Sequence, residues 1–271
     1  MTETSKKPLL DVQGLEVHFG SSAEPVRAAD QVDFQIFDGE IVALVGESGS
    51  GKSISALALA QLVPQPAGRI VGGKVFFQGL EKQKGAGSLS TEALAKEEAC
   101  LETLSLKPSE LRKLRGDRIA YIFQEPATSL NPVFTVGWQI GEAIRLHRKG
   151  VKVKAEVEKL LADVGLPDPK RTAKSYPHEL SGGMQQRAMI AMALACDPDL
   201  LIADEPTTAL DVTVQKQILE LLMDLRKQRG LSILLITHNL GIVAEVADRI
   251  YVMTNGKIVE SGETKTVLRT P

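Results

Sequence analysis

Gly46-Glu47-Ser48-Gly49-Ser50-Gly51-Lys52-Ser53 is the stretch whose reading decides the fold. It follows the apolar run Ile41-Val42-Ala43-Leu44-Val45 and precedes Ile54-Ser55-Ala56-Leu57-Ala58-Leu59, which makes it a glycine-rich loop between a buried strand and a helix. The spacing is G-x-x-x-x-G-K-[ST], and each residue type has a physical reason. Glycines reach backbone angles closed to other residues, so successive N–H groups converge on phosphate oxygens. The helix N-terminus adds its positive dipole end. Lys52 is placed to meet the β- and γ-phosphates and the Ser53 hydroxyl to hold Mg²⁺. Gly46, Ser48, Gly49, Ser50, Gly51, Lys52 and Ser53 are therefore candidate phosphate-binding residues. An accidental glycine loop would not need the flanking strand and helix.

On the N-terminal side, Leu15-Glu16-Val17-His18-Phe19 and Val32-Asp33-Phe34-Gln35-Ile36 alternate apolar and polar residues, as strands with one buried face do. Asp38-Gly39 turns the chain into the strand that feeds the loop. Beyond the first helix, Pro64 and Pro66 stop it and Gly72-Gly73-Lys74-Val75-Phe76-Phe77 reads as a further strand. From about Glu81 to Pro108 no core stripe is sustained, which predicts an exposed insertion with one helix. The basic run Leu111-Arg112-Lys113-Leu114-Arg115 is expected to be a solvated helix end or turn. Ile119-Ala120-Tyr121-Ile122-Phe123 is a buried strand ending at Gln124, and Pro126 forbids its continuation. A polar side chain there is well placed to face a ligand.

Helical spacing dominates from Thr135 to Met192, through Val136, Ile140, Ala143 and Ile144 and then Val153, Val157, Leu160, Leu161 and Val164. A helical subdomain is thus inserted between two strands of the core sheet. Trp138, the sole tryptophan, is expected to be core. Leu180-Ser181-Gly182-Gly183-Met184-Gln185 opens an apolar helix, with Ser181 at the cap and two glycines that permit close approach of a phosphate. This is a second helix-start anion site.

Leu200-Leu201-Ile202-Ala203 makes a buried parallel strand with Asp204 and Glu205 at its carboxyl end. Alone the acidic pair could be a strand cap. Beside a phosphate loop, one carboxylate to hold Mg²⁺ (Asp204) and one to position or deprotonate a water (Glu205) is what γ-phosphate hydrolysis demands. Thr207 to Asp211 leads into an amphipathic helix ended by Gly230. Ser232 to Thr237 is another buried strand, and His238 just past it is a candidate γ-phosphate donor. A helix from Leu240 to Ala247 and a hairpin around Asn255-Gly256 complete the unit.

Composition fits one folded unit with subdomains. The 271 residues are 43% hydrophobic, enough for a sizeable core. A net charge of −2 with both signs interspersed argues against nucleic acid as partner. Two distant cysteines and four histidines give neither a disulfide framework nor a zinc site, and a reducing cytoplasm fits. No signal peptide or membrane-spanning run is present in the sequence, so service to a membrane would go through a partner.

Taken together, these motifs resemble those of the ATP-binding subunits of ABC transporters, and the resemblance covers nearly the whole chain. Gly46 to Ser53 is the P-loop, Gln124 the Q-loop residue, Leu180 to Gln185 the signature, Asp204 and Glu205 the Walker B carboxylates, Asp211 the end of the D-loop and His238 the switch histidine. The signature is the specific one, since other P-loop ATPases lack it. Phe19 stands where the family places an aromatic, most often Tyr, against adenine. The stretches Tyr121 to Gly137 and Ala203 to Thr213 are similar to the oligopeptide, dipeptide, glutathione and nickel importers within that family. Those ATPases usually continue further, with a cysteine cluster in some members; the stop at Pro271 leaves open a short member or half of a tandem fusion.

The resemblance implies an α/β fold: a P-loop NTPase core with a mainly parallel sheet, an antiparallel β subdomain and an inserted helical subdomain. Its divisions are expected at 9–80 for the β subdomain and P-loop, 81–117 for the exposed insertion, 125–192 for the helical subdomain and 193–271 for the remainder. It implies an ATPase that powers import of a small substrate, most closely peptides, from the cytoplasmic face of the inner membrane. ATP would lie between two cassettes paired head to tail. Glu205, His238 and Gln124 would be catalytic, Ser53, Gln124 and Asp204 metal ligands, and Phe19, the P-loop, Ser181, Gly182, Gly183, Gln185 and Asp211 nucleotide contacts. Two membrane permease subunits and an extracytoplasmic substrate-binding protein would complete the assembly, with the Phe134 region docking the permeases. Because the ATPase never touches the cargo, no residue here specifies it. Two alternatives stand beside this one. A soluble ABC ATPase acting on nucleic acid or the ribosome would need an inserted coiled coil or tandem cassettes. A P-loop metabolic kinase is disfavoured by the second anion site and by a carboxylate suited to water.

Overall fold

The computed structural model describes residues 7–21, 24–78, 100–208 and 210–270. Two sheets share one core. In the first, β1 (Leu10–Phe19) pairs antiparallel with β2 (Val26–Ile36) and with β4 (Gly68–Gln78), and β5 (Cys100–Glu102) extends the other edge of β4. In the second, the order is β10-β9-β3-β8-β7-β6, built from β3 (Ile41–Val45), β6 (Ile119–Ile122), β7 (Leu200–Asp204), β8 (Ser232–Thr237), β9 (Arg249–Thr254) and β10 (Lys257–Glu263). All neighbours there are parallel except the β9–β10 hairpin.

The apolar runs of β3, β7 and β8 are buried on both faces, which is why they read as unbroken rather than alternating. Their residues divide by parity. Val42, Leu44, Leu200, Ile202, Leu234 and Ile236 pack toward the first sheet, against residues such as Leu10, Phe34 and Phe77. Ile41, Leu201, Ala203, Ile233 and Leu235 pack toward the helices.

Those helices are α3 (Val136–His147), α4 (Val153–Asp163), α5 (Gly182–Ala193), α6 (Val212–Arg229) and α7 (Leu240–Val246), whereas α1 (Lys52–Ala58) and α2 (Pro108–Leu114) pack on the other side, with the first sheet. The inserted helical layer, α3 to α5, buries Val136, Ile140, Ile144, Val157, Leu160 and Leu161 against Met189 and Ile190.

Two expectations are corrected here. Trp138 is 41% exposed and stacks on Phe134, ring centroids 4.1 Å apart, rather than lying in the core. Two residues past Val136, it points about 200° round the helix from the stripe that Val136, Ile140 and Ile144 bury. The exposed insertion expected over 81–117 is also revised. Residues 81–99 lie outside the described residues, but 100–117 pack into the body. Thr103, Leu111 and Leu114 are buried, and the Arg115 guanidinium donates to the carbonyls of Ala60 and Gln61, each at 2.8 Å. Arg115 thus serves the C-terminal end of α1, where carbonyls are left without helical partners, while Arg112 and Lys113 are exposed in the last turn of their helix, as expected.

Candidate functional site

The carboxyl ends of β3, β7, β8 and β6 bring the loop 46–53, Asp204, Glu205, His238 and Gln124 to one edge of the sheet, where open α/β sheets place their ligands. The loop is held from behind. The Gly256 N–H donates to the Ser50 carbonyl at 3.0 Å, and the Asp30 N–H donates to the Gly256 carbonyl at 2.8 Å. A side chain at Gly51 (φ 102°) would come within 1.8 Å of the Ala28 carbonyl oxygen, so only glycine fits that approach. The Lys52 ammonium bridges the carbonyls of Gly46 (2.9 Å) and Glu47 (2.8 Å) across the loop. Burial pushes its pKa down, opposed by the charges of Glu205 and Asp204.

Glu205 is the hub. One carboxylate oxygen lies 3.0 Å from His238 Nδ1; the other accepts from Gln124 Nε2 at 3.1 Å and from the Thr208 hydroxyl at 2.8 Å. Burial alone would raise its pKa, but the His238 and Thr208 hydrogen bonds and the Lys52 charge outweigh it and hold the carboxyl below the usual 4.5. Its backbone is left-handed, φ 45°, a conformation that costs a non-glycine residue about 1–3 kcal/mol and that recurs at functional sites. Thr208 was missed in the sequence; the available signal was a hydroxyl residue three positions after the carboxylate in a turn.

Asp204 behaves oppositely. Burial pushes its pKa up, the Ser53 hydroxyl and Lys52 pull it down, and the Glu205 charge adds to the rise. Its Oδ1 is buried without a hydrogen-bond partner. A buried carboxylate oxygen beside a hydroxyl is the donor set of a hard divalent cation, so the residues present fit Mg²⁺. The folded state binds this proton more tightly than the unfolded chain, so the stability linked to it is lost as pH rises above 3.8. Asp204→Asn in chelator should therefore melt about 2–4 °C higher near pH 7, corresponding to about 1 kcal/mol, with the gain shrinking toward acid pH. A melting temperature unchanged or lowered at neutral pH would remove the buried-charge account.

Other expected contacts lie elsewhere. Ser181 caps α5, accepting from the Met184 N–H at 3.3 Å, and Asp211 caps α6, accepting from Val214 at 3.0 Å. Gly182 and Gly183 rest on Leu210 and Val214 of that cap region, where a side chain at Gly183 would come within 2.8 Å of Val214. Gln185 turns inward, its Nε2 donating to the Pro177 and Leu180 carbonyls. Phe19 is half-buried, its ring lying against Gly68, where an added side chain would come within 2.6 Å of it. The chain thus carries two glycine turns with different supports, one on Ala28 and Gly256, the other on Leu210 and Val214.

The model of the family described as ABC transporter matches residues 29–208. The chain belongs to the ABC transporter family. The dipeptide transport ATP-binding protein DppD of Haemophilus influenzae is 49% identical to it over 265 residues, 97% of this chain and 74% of its own length. The peptidoglycan transport ATP-binding protein YejF of Agrobacterium fabrum is 50% identical over 273 residues, covering 100% of this chain but 46% of YejF. Among solved structures, the ATP-binding cassette MJ0796, in a dimeric post-hydrolysis state bound to ADP and Pi, superposes with a TM-score of 0.76 at 25% identity, over 94% of this chain and 98% of that one. The expected fold class is the one found, and the protein is an ABC-type ATPase.

Proposed function

We propose that this ABC ATPase hydrolyses ATP between two cassettes paired head to tail and so powers peptide import from the cytoplasmic face of the membrane. Its partners would be two membrane permease subunits and an extracytoplasmic substrate-binding protein. The observation that carries the reading is the convergence of Gln124, His238 and Thr208 on the Glu205 carboxylate. The relatives named for peptide import and dipeptide transport support the cargo class.

In this reading the loop amides of 46–53 and Lys52 bind the phosphates of one ATP. Ser53 and Asp204, with Gln124, would hold Mg²⁺, which neutralises phosphate charge when bound. Glu205, ionised throughout the neutral range, orients a water at the γ-phosphorus and accepts its hydrogen bond. His238 fixes the Glu205 rotamer and reaches toward the same phosphate. The Ser181 turn of the second cassette closes the far side and excludes bulk water, which strengthens every charge interaction inside.

Among the described residues no helix is long and apolar enough to cross a membrane. Val133 (69% exposed) and the stacked Phe134 and Trp138 present an exposed apolar platform, Phe123 (44%) is exposed beside Gln124 in sequence, and we assign the platform to the permeases. Trp138→Ala breaks the stack and should weaken retention by the membrane subunits roughly thirty-fold, the about 2 kcal/mol of an aromatic anchor. Unchanged co-purification would remove the platform from the interface. The function itself is tested by expressing the cassette with its permeases and measuring ATP-dependent peptide uptake; recovery with ribosomes or nucleic acid in place of membrane subunits would favour the soluble alternative.

A further inference from the structure

Three helices of this chain begin in the same way. Thr135, Ser181 and Asp211 cap α3, α5 and α6, each accepting from the backbone N–H three residues on, at Trp138, Met184 and Val214. Four residues after each cap stands a glutamine, and its Nε2 reaches back across the cap to two loop carbonyls. Gln139 donates to Phe134 (3.1 Å) and Asn131 (3.0 Å). Gln185 donates to Leu180 (3.2 Å) and Pro177 (2.9 Å). Gln215 donates to Leu210 (3.0 Å) and Thr207 (3.1 Å). The offsets are the same each time, five and eight residues back.

A primary amide carries two N–H donors on one planar group, so a single side chain can tie two carbonyls of one turn, adding to the backbone bonds by which Asn131, Pro177 and Thr207 already accept from the N–H three residues on. The device is not general to the fold. At the same offset from their caps, α1, α4 and α7 carry Ser55, Glu156 and Val243.

What the three loops share is their role in the proposed function, on which this inference rests. The loop before α3 carries Phe134, which stacks on Trp138 of that helix, the one before α5 leads into the Ser181 turn, and the one before α6 follows Glu205. Each must meet another molecule, and a loop ordered only on contact loses about 1–2 kcal/mol of conformational freedom per residue. The geometry points to Gln139, Gln185 and Gln215 as positioning residues: one amide clamp, used three times, sets in advance the loops through which the cassette meets its permease and its partner's nucleotide. Gln185 accordingly works inside its own loop, where the family resemblance places a nucleotide contact.

Gln139→Met, Gln185→Met and Gln215→Met keep an unbranched stem and remove the donors. Hydrogen–deuterium exchange should speed about tenfold in the loop ahead of the altered helix and stay within about twofold in the other two. Single-chain ATP affinity of Gln185→Met and Gln215→Met should stay within about twofold, while ATP-driven pairing and hydrolysis fall about tenfold or more. Gln139→Met should instead weaken recovery with the membrane subunits. Gln185→Lys, whose ammonium reaches the same carbonyls, should recover most of the pairing. Folded methionine variants with wild-type loop exchange, or with loosened loops and wild-type pairing, overturn the proposal. Should those variants fail to fold, the wild-type chain decides: loops that exchange fast and become protected only on adding ATP would show they are not set in advance. Absence of ATPase activity in the wild-type chain would remove the proposed function and leave the exchange result to judge the clamp.

Discussion

Glu205→Gln should bind ATP within about threefold of the wild type and hydrolyse it at least about a hundred to a thousand times more slowly, the share that a positioned base contributes to such a step. Glutamine has the same length and keeps a carbonyl to accept from His238 or Thr208, so the turn and its left-handed backbone are retained. What it loses is charge. The carboxylate accepts three hydrogen bonds, and an amide placed there turns an N–H toward at least one of those donors. The γ-phosphate bond then stays intact, and ATP remains between the two cassettes. Size-exclusion chromatography with Mg-ATP should show a stable dimer that the wild type forms only transiently. Hydrolysis above about a tenth of the wild-type rate would show that another group positions the water.

Ser181→Arg should abolish hydrolysis to a similar degree for a different reason. The serine hydroxyl caps α5, and losing it costs about 0.5–2 kcal/mol, a few degrees of melting temperature. In the proposed assembly the larger effect is steric, since arginine would place a long side chain at the turn proposed to close over the other cassette's phosphates. The phosphate loop of the same chain rests on Ala28 and Gly256 rather than on this turn, so single-chain ATP binding should be unchanged. Loss of that binding would instead put Ser181 in its own chain's nucleotide site.

Much of this was legible because it is local. Strand, glycine loop and helix sit in sequence from Ile41 to Leu59, and Asp204 and Glu205 follow their strand directly. The buried parallel strands were readable from unbroken apolar runs, because burial on both faces removes the alternation. Trp138 was misplaced because an isolated aromatic is usually core, although its angular offset from Val136 and Ile140 already put it on the other face. The integration of residues 100–117 was not readable, since Arg115 and Thr103 earn their place through carbonyls more than forty residues earlier. The inward turn of Gln185 was hidden for a related reason. A side chain that anchors its own loop and one that touches a ligand require the same residue at the same position, and only the hydrogen-bond geometry separates them.

The brace behind the phosphate loop has a temporal consequence. Gly256 leaves the ribosome roughly 200 residues after the loop it supports, a delay of about ten seconds or more at usual elongation rates. Until then the nascent chain has the whole P-loop motif but lacks the hydrogen bond that points the Ser50 carbonyl backward and so, through a planar trans peptide, the Gly51 N–H forward. Affinity for nucleotide should therefore switch on late in synthesis. Stalled chains released before the β9–β10 turn would pass an ATP-agarose column unretained, whereas those extending beyond Gly256 would be held.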